Sequence, residues 1–324
     1  MKTHVIIPIF IPHLACPNDC VFCNQRKITA HETAPNEDEV RATIEEYLST
    51  VNREQIQTVE IAFYGGSFTA IEMEDQNRYL DIALEYKNKG LIDKIHISTR
   101  PDYIDEAILD NLKAHKLDTI ELGVQSFDDQ VLKLSKRGHD SKVVYGSAKL
   151  IKDYGFELGI QLMIGLPGDS LDACIYSAKE CVKLEPEIAR LYPTIVIKDT
   201  QLYEDCINGT YTPLSQAEAI HRTKEMYKII CQAGINIIRV GLKSSDIINE
   251  NGDIKGETFH PAFRQLVESE IAKEIIDKKL ESHMGPLSIF ANSKWLPNAI
   301  GNGGTNKKAW EEKYKIVHFY RDDS

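Results

Sequence analysis

Six short runs rich in Ile, Val and other apolar residues, with a helix-length stretch between each and the next, constrain this chain more than any other feature. The runs lie at 4–10, 58–64, 94–98, 119–124, 157–163 and 188–194, and each stops at glycine or polar residues. Helical spacing is read over 37–51, 73–89, 104–115, 141–154 and 170–184. Asn36, with Glu39 three residues on, forms a capping-box pattern at the start of the first helix. Asp102 stands where it could cap the third. Strands that alternate with helices pair in parallel, because each crossover helix returns the chain to the same end of the sheet. Six units are too few for a closed eight-stranded barrel. The expected class is therefore α/β, a partial (βα)6 TIM-like barrel, with a doubly wound open sheet as the alternative. In both, ligands gather at the C-terminal ends of the strands.

Beyond 194 the pattern loosens. A helix is expected near 215–233, a possible strand at 235–240 and a polar loop or linker over 244–257. A helix over about 261–280, a strand at 287–291, a glycine-rich turn at 301–304 and a last strand at 315–320 complete the chain. This divides it into a barrel over 1–240 and a small α+β extension over 241–324. The extension would cover the barrel mouth or bind substrate. The chain has 324 residues, 42% of them apolar, enough for a sizeable core. The first apolar run is interrupted by Pro8 and is too short for a signal peptide or a membrane span, so a cytoplasmic protein with no membrane contact is expected. The net charge of −11 argues against tight nonspecific nucleic-acid binding, while leaving room for a local basic groove.

The seven cysteines are unevenly spread. Cys16, Cys20 and Cys23 form C-x3-C-x2-C in a loop just after the first strand. An odd count is a poor disulfide framework. Three thiolates can hold three irons of a four-iron cube, leaving the fourth iron open to an outside ligand. A zinc site would want a fourth ligand, for which His13 is the candidate. Three unrelated core thiols are the remaining possibility. Cys174 and Cys181 lie seven apart on one helical face and read as buried core thiols; Cys206 and Cys231 lack motif partners.

C-x3-C-x2-C with an aromatic residue, Phe22, before the last cysteine resembles the signature of radical SAM enzymes. The resemblance implies a [4Fe–4S] cluster on Cys16, Cys20 and Cys23, with S-adenosylmethionine (SAM) chelating the open iron. It implies an electron from a reductant such as flavodoxin or ferredoxin, and a 5′-deoxyadenosyl radical that takes hydrogen from a substrate. It also implies that Gly65 and Gly66 contact the methionine end of SAM, that Arg137 binds its carboxylate, and that Met163 and Ile164 lie beside adenine. The residues themselves are compatible with such a site. A glycine pair at a strand end, followed by Ser67, permits close backbone approach. Thr99 and Arg100 end the third strand, where the guanidinium can pair with a carboxylate or phosphate. Gln125 and Ser126 offer hydrogen bonds to a ribose or substrate. Each position also has a plainer reading, as a tight turn, a helix start or a solvated Lys136–Arg137 pair.

A narrower resemblance adds to this. Phe-Tyr-Gly-Gly-Ser-Phe-Thr at 63–69, Thr-Arg-Pro-Asp at 99–102, Glu-Leu-Gly-Val-Gln-Ser at 121–126, Arg-Gly-His at 137–139 and Leu-Tyr-Pro-Thr-Ile-Val-Ile at 191–197 are similar to the radical SAM domain of the catalytic subunit of Elongator. The similarity spans roughly 4–205 and implies a tRNA nucleoside as substrate. The Q/R-x-x-G-x-G/A acetyl-CoA loop of that subunit is not found, so acetyl transfer is not carried over. A porphyrin-like or other small molecule is the alternative substrate, and an iron–sulfur electron-transfer protein is the alternative from another class. The segment 294–308, with its glycines, amides, lysines and Trp295, reads either as a phosphate or RNA-backbone binder or as a turn-rich surface. Residues 260–264 are read as a cover for the barrel mouth.

Overall fold

The structure is a computed structural model that describes residues 3–11, 20–23, 34–243, 248–249, 252–281 and 283–323. Its strands are β1 (His4–Ile11), β2 (Thr58–Gly65), β3 (Lys94–Thr99), β4 (Thr119–Gln125), β5 (Glu157–Ile164), β6 (Ile188–Pro193), the two-residue β7 (Val196–Ile197), β8 (Asn236–Val240), β9 (Ile254–Lys255), β10 (Leu287–Ala291) and β11 (Val317–Arg321). The helices are α1 (Glu37–Thr50), α2 (Met73–Asn88), α3 (Glu106–Ala114), α4 (Asp129–Leu134), α5 (Ser141–Asp153), α6 (Leu171–Lys183), α7 (Gln201–Ile207), α8 (Gln216–Gln232), α9 (Phe263–Lys279), α10 (Leu296–Ile300) and α11 (Thr305–Tyr314).

One seven-stranded sheet runs in the order β1-β2-β3-β4-β5-β6-β8, and every neighbouring pair is parallel. The order never reverses. Right-handed crossovers that always step the same way place the crossover helices on one face, so the sheet curls with its other face inward. A doubly wound sheet needs a reversal and helices on both faces, so that alternative is excluded. The α/β half-barrel is the expected one, extended by β8 beyond the six anticipated units.

Side-chain alternation along the strands sorts the residues. Ile7, Ile9, Ile61, Phe63, Ile95, Ile97, Ile120, Leu122, Leu158, Ile160 and Leu191 face outward. There they meet Ile44 of α1, Leu80 of α2, Leu109 of α3, Val144 of α5 and Met226 of α8 in a single core. Cys174 and Cys181 belong to this core, as expected, and burial pushes the Cys181 thiol up to about 12. The helices start where the sequence places good caps. Asn36 and Glu39 form the capping box of α1. Asp105, rather than Asp102, caps α3, because Asp102 is drawn into pairing with Arg100. Each such cap contributes about 0.5–2 kcal/mol.

Helix α9 places Phe263, Val267 and Ile271 in the barrel core, while Leu280, Leu287, Ile289, Ala299, Trp310, Tyr314 and Val317 form a separate core beneath β10 and β11. The interior changes over from the first core to the second near 280. The 301–304 turn does exist, with Gly301, Gly303 and Gly304 all at positive φ, but it opens α11, a helix not anticipated from the sequence. A Cβ on Gly301 would lie 2.5 Å from Thr305 Oγ1, so the close approach itself demands glycine. The nearby amides are used in packing: Asn306 donates to the carbonyls of Ser269 and Asn298, and Asn298 donates to Glu268. In segment 260–264, Phe263 packs on Gly241 just beyond β8, and Arg264 bonds Glu268 and the Ile237 carbonyl. Among the described residues no helix is long and apolar enough to cross a membrane.

Candidate active site at the C-terminal rim of the sheet

The rim is built where β1 and β2 end side by side, with Ile11 in register with Gly65. Gly65 has φ +115°, and a Cβ there would sit 2.3 Å from the Ile11 carbonyl oxygen. The Gly66 N–H donates to that same oxygen at 3.0 Å. The glycine pair thus fixes the strand end from which the cysteine segment departs. Cys16 lies outside the described residues. Cys20 is buried and Cys23 half-buried, and the Cys23 N–H closes a turn onto the Cys20 carbonyl at 2.9 Å. Val21 bonds the Ser135 carbonyl through its N–H and receives the Leu202 N–H on its own carbonyl. Phe22 is wedged between two small apolar clusters, one containing Val21, Val196 and Leu202, the other Val131, Leu166 and Ala173. Met163 packs against the second of these.

Arg137 connects this turn to the strands. Its Nη1 donates to Cys20 Sγ at 3.2 Å and its Nη2 to the Gly123 carbonyl at 2.5 Å. Its own carbonyl accepts from Arg100 Nη2 at 2.5 Å, and Arg100 grips Asp102 with two hydrogen bonds. The Arg100 N–H reaches Ser67 Oγ, which bonds Thr99 Oγ1 at 2.8 Å; Thr69 Oγ1 meets Thr99 Oγ1 at 2.6 Å. One hydrogen-bonded net therefore ties the ends of β2, β3 and β4 to a cysteine sulfur. Gln125 ends β4 at φ +69°, a left-handed backbone that costs a non-glycine residue about 1–2 kcal/mol. Its Oε1 accepts from Gln161 at 3.3 Å. Burial, and then the charge of Arg137, push the His139 imidazole down to about 4, so it is neutral near pH 7.

Two of the anticipated positions are turned elsewhere. The Ser126 hydroxyl is buried against Ser177 of α6 and accepts the Asp128 N–H. Ile164 is fully buried in the helix-facing core, so of the Met163–Ile164 pair only Met163 stands at the rim.

The inner face of the sheet carries a polar network that the motif reading did not find. Glu60 accepts from His4 at 2.7 Å and is bonded to His96 at 2.5 Å. Glu121 pairs with Arg190 Nε at 2.5 Å and lies 3.8 Å from His96 Nε2. Arg190 donates to the Tyr64 and Tyr192 hydroxyls and lies over the Tyr64 ring. The signal was in the sequence: each of Glu60, His96, Glu121 and Arg190 is flanked on both sides by apolar strand residues, which forces it onto the opposite face.

Burial alone would raise the Glu60 carboxyl, but the bonds from His4 and His96 outweigh it and hold the group down at about 2, against an ordinary 4.5. The resulting stabilisation is fully present above pH 4.5 and is lost as the pH falls toward about 2. It should amount to roughly 3 kcal/mol. Urea unfolding of wild type and Glu60→Gln at pH 6 and pH 3 checks this: the gap between them should narrow at the lower pH, and parallel losses would refute it.

The residues present fit an iron–sulfur cluster with a bound SAM. A guanidinium donating to a buried cysteine sulfur is the kind of hydrogen bond that tunes cluster thiolates. The cradle at Gly65 leaves no room for a side chain.

Comparison with known proteins agrees. The radical SAM superfamily model matches residues 10–180, and the radical SAM C-terminal domain model matches 186–273. The chain is 30% identical over 254 residues to a tRNA uridine(34) acetyltransferase of Methanocaldococcus infernus, covering 66% of this chain and 47% of that protein. It is 26% identical over 258 residues to human Elongator complex protein 3, covering 68% of this chain and 47% of that protein. The chain thus spans about half the length of these curated relatives. The solved structure of archaeal Elp3 from Methanocaldococcus infernus with an N-terminal deletion has the same fold. Its TM-score is 0.68 at 23% identity, over 85% of this chain and 64% of that one. A model match over more than half the sequence, on the fold and rim described above, makes the chain a member of the radical SAM superfamily of enzymes.

Proposed function

We propose that this chain cleaves SAM reductively at a [4Fe–4S] cluster held by Cys16, Cys20 and Cys23, and acts on a tRNA nucleoside. The observation that carries the reading is the Arg137 bond to Cys20 Sγ, which couples the cysteine turn to the strand ends that face a ligand. Such a cluster, when bound, supplies the single electron that breaks a carbon–sulfur bond of SAM to give methionine and the 5′-deoxyadenosyl radical. The chain's own residues bind and orient. Gly65 and Gly66 offer backbone at close range to the methionine end. Arg100 and Arg137 hold the rim in one geometry, and Gln125 presents an amide from a strained turn. Phe22 and Met163 form an apolar wall suited to adenine. A one-electron reductant of the flavodoxin or ferredoxin class completes the reaction.

The tRNA substrate is supported by the relatives named as tRNA uridine(34) acetyltransferases, which share this region. A porphyrin-like or other small molecule is the second reading, because the net charge of −11 argues against tight nonspecific nucleic-acid binding. The test is anaerobic reconstitution with iron and sulfide, then dithionite and SAM. 5′-Deoxyadenosine is expected; an intact cluster that produces none would overturn the reading and leave an electron-transfer protein. Binding of bulk tRNA should weaken steeply with salt. No binding at low salt would shift the substrate to the small-molecule class.

A further inference from the structure

The lumen contains a cation, Arg239, with which no carboxylate among the described residues pairs. Glu60 is already bonded to His4 and His96, and Glu121 is paired with Arg190. Arg239 enters beside Arg190, its register partner across β6 and β8, while its neighbours Ile237 and Val240 face the helices. It is half-buried, and its Nε donates to the Gly241 carbonyl at 3.1 Å. Among the described residues no carboxylate lies within ion-pair distance of it. Nearby Arg264 has its own partner in Glu268. Burial, and then Arg190 and Arg264, push the Arg239 pKa down, partly offset by Tyr192 and Tyr64. A guanidinium remains charged even so.

A half-buried cation without a carboxylate of its own, set beside Arg190, is better accommodated when an anion joins it. The surroundings supply the rest of an anion site. Tyr64 and Tyr192 both accept hydrogen bonds from Arg190, so each hydroxyl keeps its own proton to donate outward. Tyr64 directly precedes the Gly65–Gly66 pair, which puts one wall of this site beside the proposed SAM position. A planar guanidinium and two phenol donors match the oxygens of a phosphate or carboxylate.

We propose that Arg239, Tyr64 and Tyr192 form an oxyanion site inside the half-barrel that holds a phosphate or carboxylate group of the substrate. The proposal rests on the reading that the substrate enters the lumen, and it makes Arg239 a selectivity residue for that substrate. Its chemistry separates the two substrate classes, because an RNA offers phosphodiesters and a small metabolite offers carboxylates.

The test uses the reconstituted, SAM-loaded enzyme and titrates inorganic phosphate, with acetate as competitor, by calorimetry. Saturable phosphate binding is expected, weakened at least about tenfold by Arg239→Gln. Arg239→Lys keeps the charge but loses the fork, so it should fold normally and bind with intermediate strength. Lys294→Gln, on the exposed tail, should bind phosphate like wild type. Displacement by acetate at lower concentration than phosphate would indicate a carboxylate substrate, and the reverse a phosphorylated one; either supports the site. Wild-type affinity in both Arg239 variants, or no saturable binding of either anion, would overturn it. 5′-Deoxyadenosine formation by the wild type reports separately on the SAM reading, so the two can fail independently.

Discussion

Cys20→Ala is expected to hold no stable four-iron cluster and to yield 5′-deoxyadenosine only at background. Three thiolates are the minimum that anchors a cube while leaving one iron open, and Cys20 is the more buried of the two described members, held from one side by Arg137. Its loss also leaves the Arg137 guanidinium without its sulfur acceptor. The informative control is Cys206→Ala. Cys206 is half-buried against the same apolar cluster as Val21 and Phe22, so it is a nearby thiol outside the motif. Iron and sulfide per chain, measured beside deoxyadenosine yield, should collapse for Cys20→Ala and stay at wild-type levels for Cys206→Ala. The opposite pattern would move the ligand assignment from Cys20 to Cys206.

Gly65→Ala should be the most damaging single methyl in the rim. A left-handed backbone costs an alanine about 1–2 kcal/mol, and forcing atoms into packed space costs about 1–3 kcal/mol more. Here the new carbon would meet a backbone oxygen at 2.3 Å, which no rotamer change relieves, so a total of roughly 2–5 kcal/mol is expected. Gly90→Ala separates the two contributions. Gly90 also has positive φ, +69°, but nothing lies within 4 Å of its added Cβ. It should lose only the backbone part, about 1–2 kcal/mol. Denaturant midpoints of the two variants give the comparison, and equal losses would show that the contact with the Ile11 carbonyl is unimportant. Gly65→Ala should in addition impair SAM binding, because the end of β1 that leads into the cysteine segment is displaced.

The sheet was legible because its outward face is almost purely aliphatic. Ile7, Ile61, Ile95, Ile120 and Leu158 mark consecutive strands with the same chemistry, and the helices between them carry caps such as Asn36 and Ser170. The cysteine motif and the strand-end residues were legible as types and positions. Their connections were not. Nothing in the spacing says that Arg137 reaches both Gly123 and Cys20, since a contact across 117 residues depends on how loops close. Ser126 and Thr99 looked alike as strand-end hydroxyls, yet one faces α6 and the other joins Ser67 and Thr69. Ser126 follows Gln125, whose backbone has positive φ just after a register shift in β4, a local irregularity that composition does not encode. Short elements such as α4, α10 and the β7–β9 pair escaped detection because a few residues cannot display a period. Helix α11 is not legible in the sequence because its opening glycines have the composition of a loop.

The order of the strands has one more consequence. In a closed barrel, strand number and shear together fix the radius. Here β1 and β8 are the two margins of the sheet and no ladder joins them, so no closure condition sets the width between them. Among the described residues, links across the lumen from Arg190 on β6 to Glu121 on β4 and Tyr64 on β2 tie separate walls together. Side chains therefore share with the backbone in setting the bore of this half-barrel. A few substitutions in those spokes could retune it to a guest of different girth without altering a single strand.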